Sequence, residues 1–308
     1  MSMRYSVSVP DLLRLLALSA IWGGSFILLR VASPVLGPVW LIEIRVLLAG
    51  LALLLYAKAT GHDLQLRARW RRYLLLGAVN SAIPFTLISA AEITLDASFA
   101  AIVNATAPLW GAVIGVAWLR DALAPRALLG LGLGVAGVAT LVGLGPLTIT
   151  PAVGLAVLAS LLGAASYGLG SVYTKARMQG APPIGMAVCS QLSAALVLIP
   201  LVPFVPPISM PNATVILCVL LLSLVATALA YVIFFRLVVN VGPARALTVT
   251  FLNPIFGVIW GALFLGEHIT ASALVGCAVI LLGTALVVGV RLPAPWARVR
   301  PAEAVAGE

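Results

Sequence analysis

The sequence predicts an all-α membrane protein of ten transmembrane helices, arranged as two inverted five-helix repeats. Three observations carry this. First, 62% of the 308 residues are apolar and only 9% are charged, against about a quarter charged in an average soluble domain. A water-soluble fold has no way to hide that much apolar surface, so hydrocarbon is the solvent for most of the chain. Second, apolar runs near the roughly 20 residues that an α-helix needs to cross a bilayer recur from end to end, whereas a barrel would show alternating segments of about ten. Third, the chain repeats itself. The stretch from Thr106 to Gly143 returns without a gap near the C-terminus: Pro108 meets Pro254, Gly111 meets Gly257, Gly115 meets Gly261, Leu119 meets Leu265, Asp121 meets Glu267, Gly130 meets Gly276, Gly137 meets Gly283 and Gly143 meets Gly289.

In chain order the expected spans are 12–31, 37–57, 73–92, 97–119, 125–144, 152–174, 183–205, 213–236, 243–265 and 271–291. Proline and glycine mark the gaps because neither propagates a helix cheaply: "SPVLGP" before the second span, "GPLTITP" before the sixth, "PFVPPISMPN" before the eighth. No small-residue cleavage site follows the first apolar run, so it reads as a retained helix. The first repeat is expected over 1–146, the second over 147–292, and a cytoplasmic tail over 293–308.

Charge sets the orientation. The formal net charge is +9, and the basic residues gather in alternate loops. Arg4 and Arg14 precede the first span. Lys58, Arg67, Arg69, Arg71 and Arg72 follow the second, Arg120 and Arg126 the fourth, Lys175 and Arg177 the sixth, Arg236 and Arg245 the eighth, and Arg291, Arg298 and Arg300 the tenth. Between them only Arg30 is basic, and Glu92, Asp96 and Glu267 fall on that side. The positive-inside rule places both termini in the cytoplasm, in agreement with an even span count. Five spans per unit then invert the second copy relative to the first. Inverted repeats of this kind build secondary transporters that bind near the midplane and rock about it. The first and sixth spans echo each other more weakly, "WGGSFILLR" from Trp22 against "YGLGSVYTK" from Tyr167.

Other classes fit poorly. The basic balance has no aromatic-interleaved stretch that would suit nucleic acid. Cys189, Cys218 and Cys277 lie in apolar runs without metal-ligand spacing. There is no His-Glu-x-x-His, no Gly-x-Ser-x-Gly and no P-loop, which speaks against an enzyme and against ATP as direct energy source. No cofactor is implied.

The doubled unit, Trp22-Gly23 in the first span, Arg45 in the second, Pro108 and Pro254 in the fourth and ninth, "GEHIT" from Gly266, and "ATALAYVIFFRLVVNVGPARA" from Ala226 together resemble the EamA family of the drug/metabolite transporter superfamily. The resemblance covers nearly the whole chain. It implies a ten-helix permease of the bacterial inner membrane that exports amino acids or related metabolites, with exporters of neutral or aromatic amino acids as nearest type. One departure stands out. Small multidrug transporters of the superfamily carry an essential Glu in the first helix, and residues 12–31 contain no acid.

Ionisable groups inside lipid cost roughly 2.5–3.5 kcal/mol at the centre of a helix on insertion scales. Glu43 and Arg45, two residues apart, point to different helix faces. Each reads either as a structural anchor near the outer end or, for Glu43, as a site for a substrate ammonium or a proton. Glu92 and Asp96 read as solvated outer-rim residues. Pro108 and Pro254 are expected to kink their helices; Asn104 and Asn253 either recapture the freed backbone groups or line a cavity that flexes. Asn80 and Gln191 rank above the mid-span Ser and Thr, which satisfy their own backbone. Among aromatics, Trp22, Tyr167 and Tyr231 would suit a cavity wall. Gly111, Gly115, Gly257, Gly261, Gly130 and Gly134 read as close-packing positions. The expected substrate-binding set is therefore Trp22, Glu43, Asn80, Asn104, Tyr167, Gln191, Tyr231 and Asn253, with Pro108 and Pro254 as hinges. The expected partners are a small-molecule substrate and the lipid bilayer, with monomer and homodimer both open. The expected function is export of small amphipathic metabolites, neutral or aromatic amino acids first; a broad drug or nucleotide-sugar carrier and a non-transporting sensor or scaffold are the alternatives.

Overall fold

The computed structural model describes residues 8–120, 124–143, 150–242, 246 and 248–288. Asp121, Arg245, Gly289 and the expected tail lie outside them. Ten helices run back and forth: α1 (Val9–Leu36), α2 (Pro38–Ala59), α3 (Leu66–Ala91), α4 (Ala97–Leu119), α5 (Pro125–Gly143), α6 (Pro151–Arg177), α7 (Pro183–Phe204), α8 (Ala213–Val241), α9 (Val249–Leu265) and α10 (Ala271–Val288). Nine are at least 18 residues long and apolar enough to span a membrane; α9 is the shorter exception, with 17 described residues. The loops with the basic residues lie at one end of the bundle, and those with Glu92, Asp96 and Glu267 at the other.

Local chemistry sets the boundaries. Ser8 caps α1 by accepting from the Asp11 amide at 3.3 Å. Asp11 in turn holds Arg14 at 2.7 Å and receives the Asn240 amide at 2.8 Å, which ties the start of α1 to the end of α8. Prolines occupy the first turns of α2, α6 and α7, where the missing N–H has no intrahelical partner to lose. Asn212 caps α8 through the Val215 amide at 3.0 Å.

Three expected boundaries move. The break in "SPVLGP" is the single residue Gly37, at φ +73°, while α1 continues through Pro34. One proline removes one backbone bond and does not stop a long helix; a left-handed residue that only glycine adopts without cost does. Arg67, Arg69, Arg71 and Arg72 sit in the first turns of α3, not in a loop. The fourth span is not one kinked helix. It breaks at residues 105–106 between Ala97–Asn104 and Ala107–Leu119, and Pro108 stands in the first turn of the second piece.

The two units pack about a pseudo-two-fold axis. Gly23 of α1 lies so close to α9 that a Cβ would sit 2.7 Å from the Asn253 carbonyl oxygen and 2.9 Å from the Gly257 nitrogen. Gly168 of α6 meets α4 in the same manner, 2.6 Å from the Gly111 nitrogen. The repeat alignment pairs Gly111 with Gly257 and Gly23 with Gly168, so these are two copies of one contact. The α5–α10 seam is self-related: a Cβ on Gly130 would lie 2.5 Å from the Gly283 carbonyl oxygen and the reverse distance is also 2.5 Å, while Gly137 and Gly276 repeat the arrangement at 3.0 and 3.1 Å. Small residues allow such backbone approach where no hydrophobic force drives association. The main core draws on both units, with Phe26, Ile42, Val46 and Phe85 packed with Ala194, Leu198, Val219 and Leu222.

Candidate functional site: a polar belt between the repeats

Two helices widen mid-span. Residues Ala78–Ala82 of α3 and Leu221–Leu229 of α8 form π-helical turns, a distortion that frees backbone groups and recurs at functional sites. Each turn presents a hydroxyl to the facing repeat. Arg45 Nε of α2 donates to Thr227 Oγ1 at 3.0 Å, and Thr227 donates on to the Leu222 carbonyl of its own turn at 2.8 Å. Gln191 Nε2 of α7 donates to Ser81 Oγ at 3.0 Å. The offset that lays Pro108 on Pro254 also lays Arg45 on Gln191 and Ser81 on Thr227, so these two cross-repeat bonds are pseudo-symmetric partners.

Aromatics close around them by the same rule. Phe85 corresponds to Tyr231, and Trp22 to Tyr167. Trp22 meets Tyr231 edge-on with centroids 6.5 Å apart; Tyr167 meets Phe85 edge-on at 6.1 Å. Both distances fall in the range where the aromatic quadrupoles attract. The Arg45 guanidinium lies over the Phe85 ring, 3.9 Å from its centroid, and within electrostatic reach of the Tyr167 and Tyr231 hydroxyls. The Tyr231 hydroxyl faces the Gln191 and Asn80 side chains, and Asn80 in turn packs on Gly170, where a Cβ would lie 2.8 Å from its Oδ1. Gln191 is fully buried, with Oε1 left without a hydrogen-bond partner.

Of the expected substrate-binding residues, Trp22, Asn80, Tyr167, Gln191 and Tyr231 thus come together. Three do not join them. Glu43 is buried, Oε2 has no partner, and no hydrogen bond connects it to the belt; it lies two residues from Arg45 and so on another face of α2. Asn104 ends the first piece of α4, and Asn253 adjoins Gly23 through its carbonyl. The amides of Asn104 and Asn253 do not recapture backbone groups, since Oδ1 of each is buried and unpaired. Pro254 stands inside α9 whereas Pro108 follows the break in α4. Sequence reasoning left out Arg45, Ser81, Phe85 and Thr227. The signal that finds them is the repeat offset, applied from the fourth and ninth spans back to the second, third, seventh and eighth.

The acidic end also departs from expectation. Glu92, one residue beyond α3, is fully buried rather than solvated, and neither carboxylate oxygen has a hydrogen-bond partner. Arg30 reaches over it to the Glu92 and Ile93 carbonyl oxygens at 2.6 and 2.8 Å. Burial pushes the Glu92 carboxyl well above the usual carboxylate range, and the nearby Arg30 opposes this. Asp96 is raised for the same reason, with Glu267 adding to it. Glu267 of "GEHIT" caps the other repeat: its Oε1 and Oε2 accept from the Ala97 and Ser98 amides at 2.7 and 2.9 Å, a carboxylate at the positive end of α4.

Comparison with known proteins agrees with this architecture. The model of the EamA-like transporter family matches twice, over residues 11–143 and 154–289, one match within each five-helix unit. The uncharacterised transporter YvbV of Bacillus subtilis (strain 168) is 30% identical over 270 residues, 86% of this chain and 87% of that protein. The uncharacterised inner membrane transporter YedA of Escherichia coli (strain K12) is 27% identical over 292 residues, 92% of each. Protein PecM of Dickeya dadantii (strain 3937) is 25% identical over 289 residues, 92% of this chain and 94% of PecM. A solved crystal structure superposes with a TM-score of 0.65 at 18% identity, over 90% of this chain and 96% of that one, a likeness that speaks for the fold. Doubled match, ten helices and pseudo-two-fold packing lead to one conclusion: this multi-pass membrane protein belongs to the EamA-like transporter family.

Proposed function

We propose that the chain is a secondary transporter exporting small amphipathic metabolites, first neutral or aromatic amino acids, by alternating access between its two repeats. The observation that supports this reading best is the belt. Its hydrogen bonds, Arg45 to Thr227 and Gln191 to Ser81, cross from one repeat to the other mid-span. Relative motion of the repeats therefore remakes the polar groups that a bound molecule would touch. Phe85, Tyr167, Trp22 and Tyr231 supply apolar walls of the kind small-molecule sites use. In this reading Asn80, Gln191, Tyr167 and Tyr231 contact substrate. The break at 105–106 with Pro108, and Pro254 in α9, absorb the rocking. The basic end faces the cytoplasm of a bacterium, by the positive-inside rule, and the protein sits in the inner membrane.

The test is counterflow. Proteoliposomes preloaded with one unlabelled compound at a time are offered its labelled form. Neutral and aromatic amino acids are expected to accumulate transiently in vesicles with the protein and not in empty ones. A signal restricted to nucleotide sugars or cationic drugs would overturn the substrate assignment.

A further inference from the structure

The two pseudo-symmetric hydrogen bonds ask for the same thing from the side chain that makes them: one N–H donor to a hydroxyl in a π-helical turn. Gln191 meets that need with no charge. Arg45 meets it with Nε alone, which leaves the Nη1 and Nη2 fork without a hydrogen bond among the described residues. No carboxylate of the described residues lies at ion-pair distance from it; the ion pair they contain is Arg14 with Asp11. Packing therefore explains the donor at position 45 and not the cation. Arg45 is 4% exposed, and an isolated buried charge is costly. The Phe85 face beneath the guanidinium offsets part of this cost and holds the planar group flat. A planar fork of donors with its edge free matches a carboxylate, which accepts two parallel N–H bonds.

We propose that Arg45 is the carboxylate anchor of the transport site, so that the exported compounds are small molecules with a carboxylate beside an aromatic or apolar body. The proposal rests on the transport reading above and adds which group of the substrate the first repeat holds. One guanidinium with aromatic walls suits a monoanion; a phosphate dianion would call for further cations that the belt does not contain. Gln191 occupies the matching place in the second repeat, and the anchor is transferable to it.

The test uses the full-length protein, in detergent for binding and in proteoliposomes for counterflow. The probes are phenylalanine, phenylacetate (no ammonium), phenethylamine (no carboxylate) and phenyl phosphate. Phenylalanine and phenylacetate are expected to raise the melting temperature of the wild type, and phenethylamine to bind at least tenfold more weakly. Arg45→Gln copies the Gln191–Ser81 bond onto Thr227, so its unliganded melting is expected to stay near the wild type, while its affinity for both carboxylates falls at least tenfold. Arg45→Lys keeps the charge without the fork and is expected to fall in between. Arg45→Gln combined with Gln191→Arg moves the cation to the other repeat and is expected to restore carboxylate binding. The proposal is overturned if Arg45→Gln binds the carboxylates within twofold of the wild type, if phenethylamine binds the wild type as well as phenylacetate does, if phenyl phosphate outcompetes both carboxylates, or if no carboxylate binds at all. Amino acids that fail in counterflow, together with phenylacetate that stabilises the wild type and not Arg45→Gln, would remove the amino-acid reading and leave the anchor standing.

Discussion

The α5–α10 seam and the mid-span belt obey the same pseudo-two-fold axis in different ways. At the seam the two copies are chemically alike: Gly130 faces Gly283, Gly137 faces Gly276, and each contact is a backbone against a missing side chain. At the belt the backbone turns match and the side chains diverge. Arg45 stands where the second repeat has Gln191, Phe85 where it has Tyr231, Trp22 where it has Tyr167. At the acidic end the divergence continues, with Glu92 against Val238. Contacts that only pack can keep one solution in both copies, because close approach has one requirement. A site for an asymmetric molecule cannot, since its two poles need different partners. The net result is that the first repeat holds the charges, Arg45 and Glu92, and the second supplies neutral partners.

The seam is where the comparison breaks most violently. Gly130→Leu or Gly283→Leu would drive a side chain into the opposite backbone, and overpacking of this kind costs about 1–3 kcal/mol or more where backbones must separate. Because the two contacts are reciprocal, both variants are expected to lose most folded protein in detergent-extracted gel filtration, and equally. Gly154→Leu, which meets nothing within 4 Å, is the control; a seam variant that melts like it would remove the seam as a fixed contact.

Next in size is Gln191→Leu. It leaves Ser81 in a buried site without its donor, a loss of about 1–3 kcal/mol. The melting temperature is expected to fall with this variant and to hold with Arg45→Gln, which keeps its bond. Equal losses would show that charge at position 45 is structural after all and that the belt is more symmetric than its residues suggest.

The smallest effect is a slope. Glu92 is buried and its carboxyl is held above the usual range. An acid whose folded pKa is raised leaves stability untouched at pH below its unfolded value, about 4.3. As pH rises from there toward the folded value, the unfolded chain releases the proton first, so stability is lost across that window. Glu92→Gln removes this term and makes the site resemble the neutral second repeat. Thermal melts of wild type and variant between pH 4 and 8 are expected to converge at the acidic limit, with the variant more stable above it. A wild type that gains stability relative to Glu92→Gln on going from pH 5 to 8 would mean that Arg30 dominates and that Glu92 is held charged.

Much of this organisation is legible in the sequence. Span number and repeat inversion follow from hydropathy, from basic loops and from the fixed offset between Pro108 and Pro254, all of which are properties of the chain alone. Five of the eight proposed binding residues meet in the belt because polar side chains mid-span have few places to go other than the interior. The π-helical turns were not legible, since one extra residue per turn leaves hydropathy unchanged. Nor was the break at 105–106, because Pro108 signals a disturbance and not whether the helix bends or ends. Glu92 was misplaced because a carboxylate next to a turn looks solvated until Arg30 and its neighbours are seen to cover it.

The sequence by itself determined the solvent of each segment, the number of crossings and the existence of two copies, because transfer between water and hydrocarbon acts on each segment separately and outweighs local detail. Only the tertiary structure decided which polar groups face one another. Arg45 and Thr227 are far apart in the chain, and so are Gln191 and Ser81, and each pair meets only when the two units are packed about their shared axis. The charge on Arg45 becomes unexplained, and therefore informative, only when Gln191 is seen doing the same work without it.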